Sequence, residues 1–175
     1  MSKKQYVITS ITLGCIAAAS AGLIGLTNLI TRDQIAQNEK NKINSGIVEI
    51  FGKDAKISNE DDLSGYTYVS HYYSITGEQN GYAYLTSGKN DYGKITLIVG
   101  FDGSSGGFKA MYVVVNEQTY ASTLVENYID PVNKQEKDYE ADVQCGATYG
   151  AKLIREMINE ATQVNKNINS VDAGE

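Results

Sequence analysis

Between Lys4 and Arg32 the chain carries no charged residue at 27 consecutive positions. Nothing else in the sequence constrains the fold as strongly. The core of this stretch, Tyr6–Ile30 (YVITSITLGCIAAASAGLIGLTNLI), would span roughly 37 Å as a helix, more than the roughly 30 Å hydrocarbon core of a bilayer. The apolar part of a cleaved signal is shorter, roughly 7–15 residues, and ends at a small-x-small site. Ala17-Ala18-Ala19 imitates such a site, but the apolar run continues past it. Thr12-Leu13-Gly14-Cys15 loosely imitates a lipoprotein box, with Thr where an aliphatic residue is usual, and cleavage there would leave a long apolar segment without purpose. The sequence therefore predicts a single membrane-spanning helix, with Cys15 a small residue inside it. Lys3 and Lys4 precede the span, and Arg32 and Asp33 nearly cancel after it. The excess of positive charge puts the N-terminus in the cytoplasm and the rest of the chain outside the cell membrane. Gly14, Ala18 and Gly22, beside Ala17, Ala21 and Gly25, form small-residue stripes. Such stripes let a second helix approach closely, although ordinary membrane-helix composition gives the same pattern.

All 21 acidic residues lie after position 31, against 13 basic ones, so the part beyond the span carries −8 of a total −6. That balance argues against a nucleic-acid partner. Two cysteines, one of them in the span, exclude a disulfide scaffold, and a single histidine excludes a multi-histidine metal centre. Aromatic usage is lopsided, with 13 Tyr against 3 Phe and no Trp.

Beyond the span the pattern predicts one α+β domain. Arg32–Phe51 has an imperfect helical stripe (Ile35, Ile43, Ile47, Ile50, Phe51) ending near Gly52, and Asp54–Gly65 is polar and loop-like. Four β-branched and tyrosine-rich runs follow: Tyr66–Ile75, Gly81–Thr86, Lys94–Phe101 and Phe108–Val115. The turn sequences TGEQNG, SGKNDYG and DGSSGG separate them, which predicts an antiparallel meander. Alternating tyrosines suggest a sheet half in core and half in water. Asn116–Ile129 reads as helix and Pro131–Asp142 as loop. A final amphipathic helix, roughly Gly150–Asn165, carries the stripe Leu153, Ile154, Met157, Ile158, Ala161. The predicted organisation is a cytoplasmic stub and membrane helix over 1–31, a juxtamembrane helix and loop over 32–65, the α+β domain over 66–165 and a flexible tail over 166–175. His71, in a strand among tyrosines, reads as structural.

One motif carries chemistry. Asp142-Val143-Gln144-Cys145-Gly146-Ala147-Thr148 has the form D-x-x-[S/C]-G-A-T and precedes the last helix. A helix N-terminus offers unpaired N–H groups and the positive end of the dipole, a natural cradle for phosphate. Gly146 and Ala147 leave room beside the hydroxyl. The plainer reading is that Thr148 caps the helix.

With this motif the chain resembles the FMN-binding domain family, and in particular the G subunit of the Rnf electron-transport complex, related to the C subunit of sodium-pumping NADH:quinone reductase. The resemblance extends over the order of elements: membrane helix, juxtamembrane helix, small sheet, motif and final helix. It implies that a flavin transferase joins FMN to Thr148 through a phosphoester, making the chain a phosphoprotein and a flavoprotein, and that Asp142 belongs to the sequence the transferase reads. Cys145 stands where serine is commoner and is expected to act as a serine-like neighbour. The family's Glu-Thr-Pro-Gly-Leu-Gly loop matches less well. Gln118-Thr119 stands in place of its Glu-Thr, the glycines are replaced, and Glu117 is an alternative carboxylate. Tyr92, in a turn resembling one of the family's, is a candidate to stack on the isoalloxazine or simply to pack on its own loop. Lys152 and Arg155 read as solvated, or as partners for a flavin phosphate or carbonyl.

The implied function is electron carriage within a complex that couples ferredoxin–NAD electron transfer to Na⁺ or H⁺ translocation. The overall reaction would belong to partner subunits. A stand-alone extracytoplasmic flavin protein and a cofactor-free membrane-anchored interaction module are the alternatives.

Overall fold

The computed structural model describes the backbone of residues 3–140 and 145–172. The chain divides into two units, Met1–Asn41 and Lys42–Glu175. Helix α1 (Lys3–Phe51) supplies the first unit and the opening of the second.

In the first unit, the 23 residues Lys4–Leu26 contain an 18-residue stretch of mean hydropathy 2.0, long and apolar enough to cross a membrane. Its large apolar side chains, among them Ile8, Ile11, Leu13, Ile16 and Leu23, are exposed. Two of its hydroxyls are satisfied within the helix: Thr9 Oγ1 donates to the Gln5 carbonyl (2.8 Å) and Thr12 Oγ1 to that of Ile8 (2.9 Å). This is how threonine is accommodated where no water is available. The segment reads as a single-pass membrane anchor.

The second unit is built on a five-stranded antiparallel sheet in sequential order: β1 (Lys56–Asp62), β2 (Val69–Thr76), β3 (Gly81–Asn90), β4 (Gly93–Asp102) and β5 (Phe108–Asn116). Four strands were expected, and β1 corrects that reading. Its sequence, KISNEDD, is exposed at all but one position, so it shows no alternation; backbone pairing to β2 makes it a strand. It is a polar, acidic edge of the kind that discourages further pairing. His71 Nε2 lies 3.0 Å from Asp62 Oδ1 across this pair, in keeping with a structural histidine.

The sheet is covered on both faces, which replaces the expected half-wet face. The interior strand β4 is buried nearly end to end, with Ile95, Leu97, Ile98, Val99 and Phe101 inaccessible to solvent. On one face Ile98 joins Tyr73, Ile75, Ala83 and Val114 beneath Ile47, Ile50 and Phe51 of α1. On the other, Tyr72, Tyr84, Leu97, Val99 and Met111 pack with the last helix, α4 (Thr148–Asp172). The expected stripe Leu153, Ile154, Met157, Ile158 and Ala161 is buried throughout. Helix α4 continues to Asp172, beyond the expected end at Asn165. Val164 and Ile168 extend its apolar stripe. Asn165 itself is buried, accepting a hydrogen bond from the Tyr84 hydroxyl (3.1 Å) and donating one to the Gly106 carbonyl (3.0 Å).

Between β5 and α4 the chain forms α2 (Ala121–Leu124), a π-helical turn (Val125–Ile129) and α3 (Asp130–Asn133), so helix extends slightly into the segment expected as loop. Leu124, Tyr128, Ile129 and Val132 anchor these turns in the α4-side core.

Candidate functional site

Three separate segments meet at the N-terminus of α4. They are the β3–β4 turn around Tyr92, the loop Gln118–Tyr120 after β5, and the first turn of α4. Tyr92, Gln118, Tyr120, Leu124, Ala147, Thr148, Tyr149 and Gly150 line a cavity of about 70 Å³. Among the described residues, no charged side chain lines it.

Hydrogen bonds hold the first two segments together. Thr119 N and Oγ1 both donate to the Tyr92 carbonyl (2.8 and 3.1 Å). Gln118, which is buried, donates from Nε2 to the Gly93 carbonyl and from its backbone N to Asn116 Oδ1 (3.1 Å). The approach is so close that a Cβ on Gly93 (φ +133°) would overlap the Glu117 carbonyl, which is why the turn carries glycine. The glutamine has a local reason too: a carboxylate in its place would set oxygens against the Gly93 carbonyl and lose the donor. Asn90 latches the third segment. Its Oδ1 accepts from Tyr92 N (2.9 Å) and its Nδ2 donates to the Tyr149 carbonyl (3.2 Å).

Thr148 is the first residue of α4, and the Ala147 carbonyl already accepts the Ala151 N–H (3.1 Å). Ala147 therefore holds the capping position, and it has no side chain with which to cap. The Thr148 side chain is exposed, and its hydroxyl makes no hydrogen bond among the described residues. The first turn of α4 carries no acidic residue to offset the dipole. A Cβ on Gly150 would meet Leu124 Cδ2 at 2.8 Å and Gln118 Oε1 at 3.3 Å, so glycine is what lets the helix start this close to the loop.

At the mouth, the Tyr92 and Tyr149 rings stack, with centroids 5.2 Å apart and planes 22° apart; Tyr120 lies tilted against Tyr92 at 6.4 Å. All three rings are exposed. The site thus joins an exposed hydroxyl, a close approach permitted by Gly150 and three exposed tyrosine rings.

Of the residues singled out from sequence, Tyr92, Gln118, Ala147 and Thr148 line the cavity together, and Thr119 braces it from outside. Cys145 does not line it; it is buried in the α4-side core, with its carbonyl taking a hydrogen bond from Asn127 Nδ2 (3.1 Å). Gly146 has φ +77°, a conformation that strains any L side chain, and its own reason for being glycine is there. Asp142 lies outside the described residues. Glu117 is exposed and away from the lining, and Arg155 Nη1 donates to the Glu140 carbonyl (3.4 Å). Tyr120, Leu124, Tyr149 and Gly150 escaped the sequence reading. The signal was a tyrosine directly after the motif threonine and another directly after Gln118-Thr119.

Residues 1–50 match the family described as RnfG N-terminal region. None of the curated proteins matches the sequence. The match supports an Rnf-type subunit, in a family that is generally flavin-associated and works within a multi-subunit complex. It ends before the sheet and the cavity, so over its anchor-bearing N-terminal region the chain resembles RnfG.

Proposed function

We propose that this chain is the covalently flavinylated electron-carrying subunit of an Rnf-type ion-translocating complex, with FMN joined to Thr148 Oγ1 by a phosphoester. The observation that carries the reading is the state of Thr148: exposed, bordering the cavity, first in its helix and without a hydrogen-bond partner among the described residues. The Asp142–Thr148 motif and the match over residues 1–50 support it independently.

When bound, the flavin supplies reversible uptake and release of electrons. The chain supplies attachment and surroundings. Thr148 provides the acceptor oxygen. The unpaired N–H groups and dipole of the first turn of α4 favour the negative phosphate beside it. Tyr92, Tyr120 and Tyr149 offer planar apolar surface, and Gln118 offers an amide in a lining without charge among the described residues. Asp142 is the residue a flavin transferase reads, and electron donors and acceptors belong to the partner subunits. The positive charge of Lys3 and Lys4 before the span supports an orientation with these residues inside and the domain on the extracytoplasmic side of the cell membrane.

Co-expression with a flavin transferase, followed by denaturing electrophoresis, tests attachment. The wild-type band is expected to fluoresce and the Thr148→Ala band to be dark. A fluorescent Thr148→Ala band would overturn the assignment. Protease added to intact cells is expected to remove the domain beyond Arg32; digestion only after lysis would reverse the orientation.

A further inference from the structure

We propose that Tyr149 is a placeholder for the cofactor: its ring occupies the stacking position on Tyr92 that the isoalloxazine takes after attachment to Thr148, and it swings out when the flavin arrives. The inference rests on the flavin reading above and adds to it a named exchange between side chains.

Space is the first argument. The cavity holds about 70 Å³, whereas sites that bury a molecule of drug size hold roughly 300 Å³ or more. A three-ring group attached at Thr148 fits beside these residues only if something planar moves away. Candidates for movement are few. Leu124 and Gln118 are buried, and Gln118 is tied to the Gly93 carbonyl. Ala147 and Gly150 have nothing to move.

The tyrosines differ in how they are held. Tyr92 sits in a turn whose backbone is fixed on both sides: its N–H is taken by Asn90, and its carbonyl accepts both Thr119 bonds. It is also the least exposed of the three, at 37% against 53% for Tyr120 and 65% for Tyr149. Tyr149 has its carbonyl held by Asn90, so its main chain is fixed, but its ring is mostly in solvent and, among the described residues, stacks on Tyr92 alone. Rotation about χ1 is enough to release it, and an exposed rotamer change takes nanoseconds or less. Tyr149 directly follows Thr148, so the ring that leaves and the group that enters start from neighbouring residues. The 22° angle between the Tyr92 and Tyr149 planes shows that Tyr92 presents its face to a flat partner. A flavin ring has the larger flat surface and wins the position by contact area.

The test uses the full-length chain co-expressed with a flavin transferase. Attached flavin is counted by absorbance after unfolding, which separates this proposal from the one above: absence of attached flavin in the wild type defeats the flavin reading, not the exchange. Native flavin emission is then measured per attached flavin, because a tyrosine in face contact quenches it by reversible electron donation. Tyr92→Leu is expected to brighten the flavin several-fold, and Tyr149→Ala to leave it dark. Near-ultraviolet circular dichroism of the unloaded Thr148→Ala protein should contain a Tyr92–Tyr149 contribution that Tyr149→Ala removes and that loading of the wild type also removes. A brighter flavin in Tyr149→Ala, with or without brightening in Tyr92→Leu, would overturn the exchange, because the flavin would then lie on Tyr149. Unchanged emission in both variants would overturn it as well.

Discussion

The first turn of α4 and the two turns that follow Arg155 belong to one helix and treat their polar groups in opposite ways. Glu156, Glu160 and Asn165 have work in the fold. The Glu160 carboxylate accepts three backbone N–H groups, from Thr67 (2.7 Å), Tyr68 (2.6 Å) and Val69 (3.0 Å), and so fixes where β2 starts. Glu156 accepts the Tyr68 hydroxyl (3.0 Å), which holds that hydroxyl above its ordinary pKa, with burial adding to the effect. Asn165 joins Tyr84 to the turn after β4. At the other end, Thr148 holds an exposed hydroxyl without a partner among the described residues, next to an exposed tyrosine. Polar groups that stabilise are bonded. The difference separates the part of α4 that ties the fold together from the candidate site at its first turn.

The largest effect expected from this contrast is alkaline unfolding. Burial pushes the hydroxyls of Tyr73, Tyr84 and Tyr128 well above the usual tyrosine pKa. A pKa raised in the folded state contributes stability that is whole below the unfolded value of about 10 and is lost as pH climbs beyond it. Circular dichroism against pH should show the sheet and the body of α4 unfolding together above about pH 10. In Tyr84→Phe, which has one such group fewer, the loss of stability per pH unit above about pH 10 should be shallower. An identical slope would mean that Tyr84 is not charged on unfolding.

The next largest effect is a core deletion. Ile154→Ala removes a fully buried side chain from the α4 stripe and should cost about 2–5 kcal/mol in urea unfolding. Glu160→Gln should cost about 1–3 kcal/mol, because a neutral amide oxygen replaces a carboxylate that serves three N–H groups. The smallest effect belongs to the candidate site: Thr148→Ala should change stability by no more than about 0.5 kcal/mol. A loss of about 1 kcal/mol or more would make Thr148 a cap after all and erase the contrast.

How much of this was legible in the sequence depended on where side chains face. The α4 stripe and strands β4 and β5 are written in apolar periodicity and lie within a residue of expectation, whereas β3 runs four residues past its expected end at Thr86, through Ser87–Asn90 that read as turn. Strand β1 was not, because an edge strand formed by backbone pairing alone leaves no pattern in Lys-Ile-Ser-Asn-Glu-Asp-Asp. The double covering of the sheet was missed for a related reason: Tyr72 and Tyr73, adjacent in β2, face opposite sides and are both buried, so tyrosine alternation said nothing about water. The end of α4 was set too early because Asn165 looks like a surface residue until its buried partners are known. Thr148 was legible because a contiguous motif marks it. Tyr120 and Tyr149 were not, since only the meeting of three distant segments turns them into a wall. The same meeting separates Cys145, three positions from Thr148 and facing the core, from the cavity it was expected to border.

The most direct test of the central claim is peptide mapping of the full-length protein purified after co-expression with a flavin transferase. The peptide containing Thr148 is expected to carry the added mass of FMN less water, with fragmentation placing it on Thr148, and no peptide of Thr148→Ala is expected to carry it. The same mass on Cys145, Thr119 or any other residue, or a wild-type protein that holds no covalent flavin despite an active transferase, would contradict it.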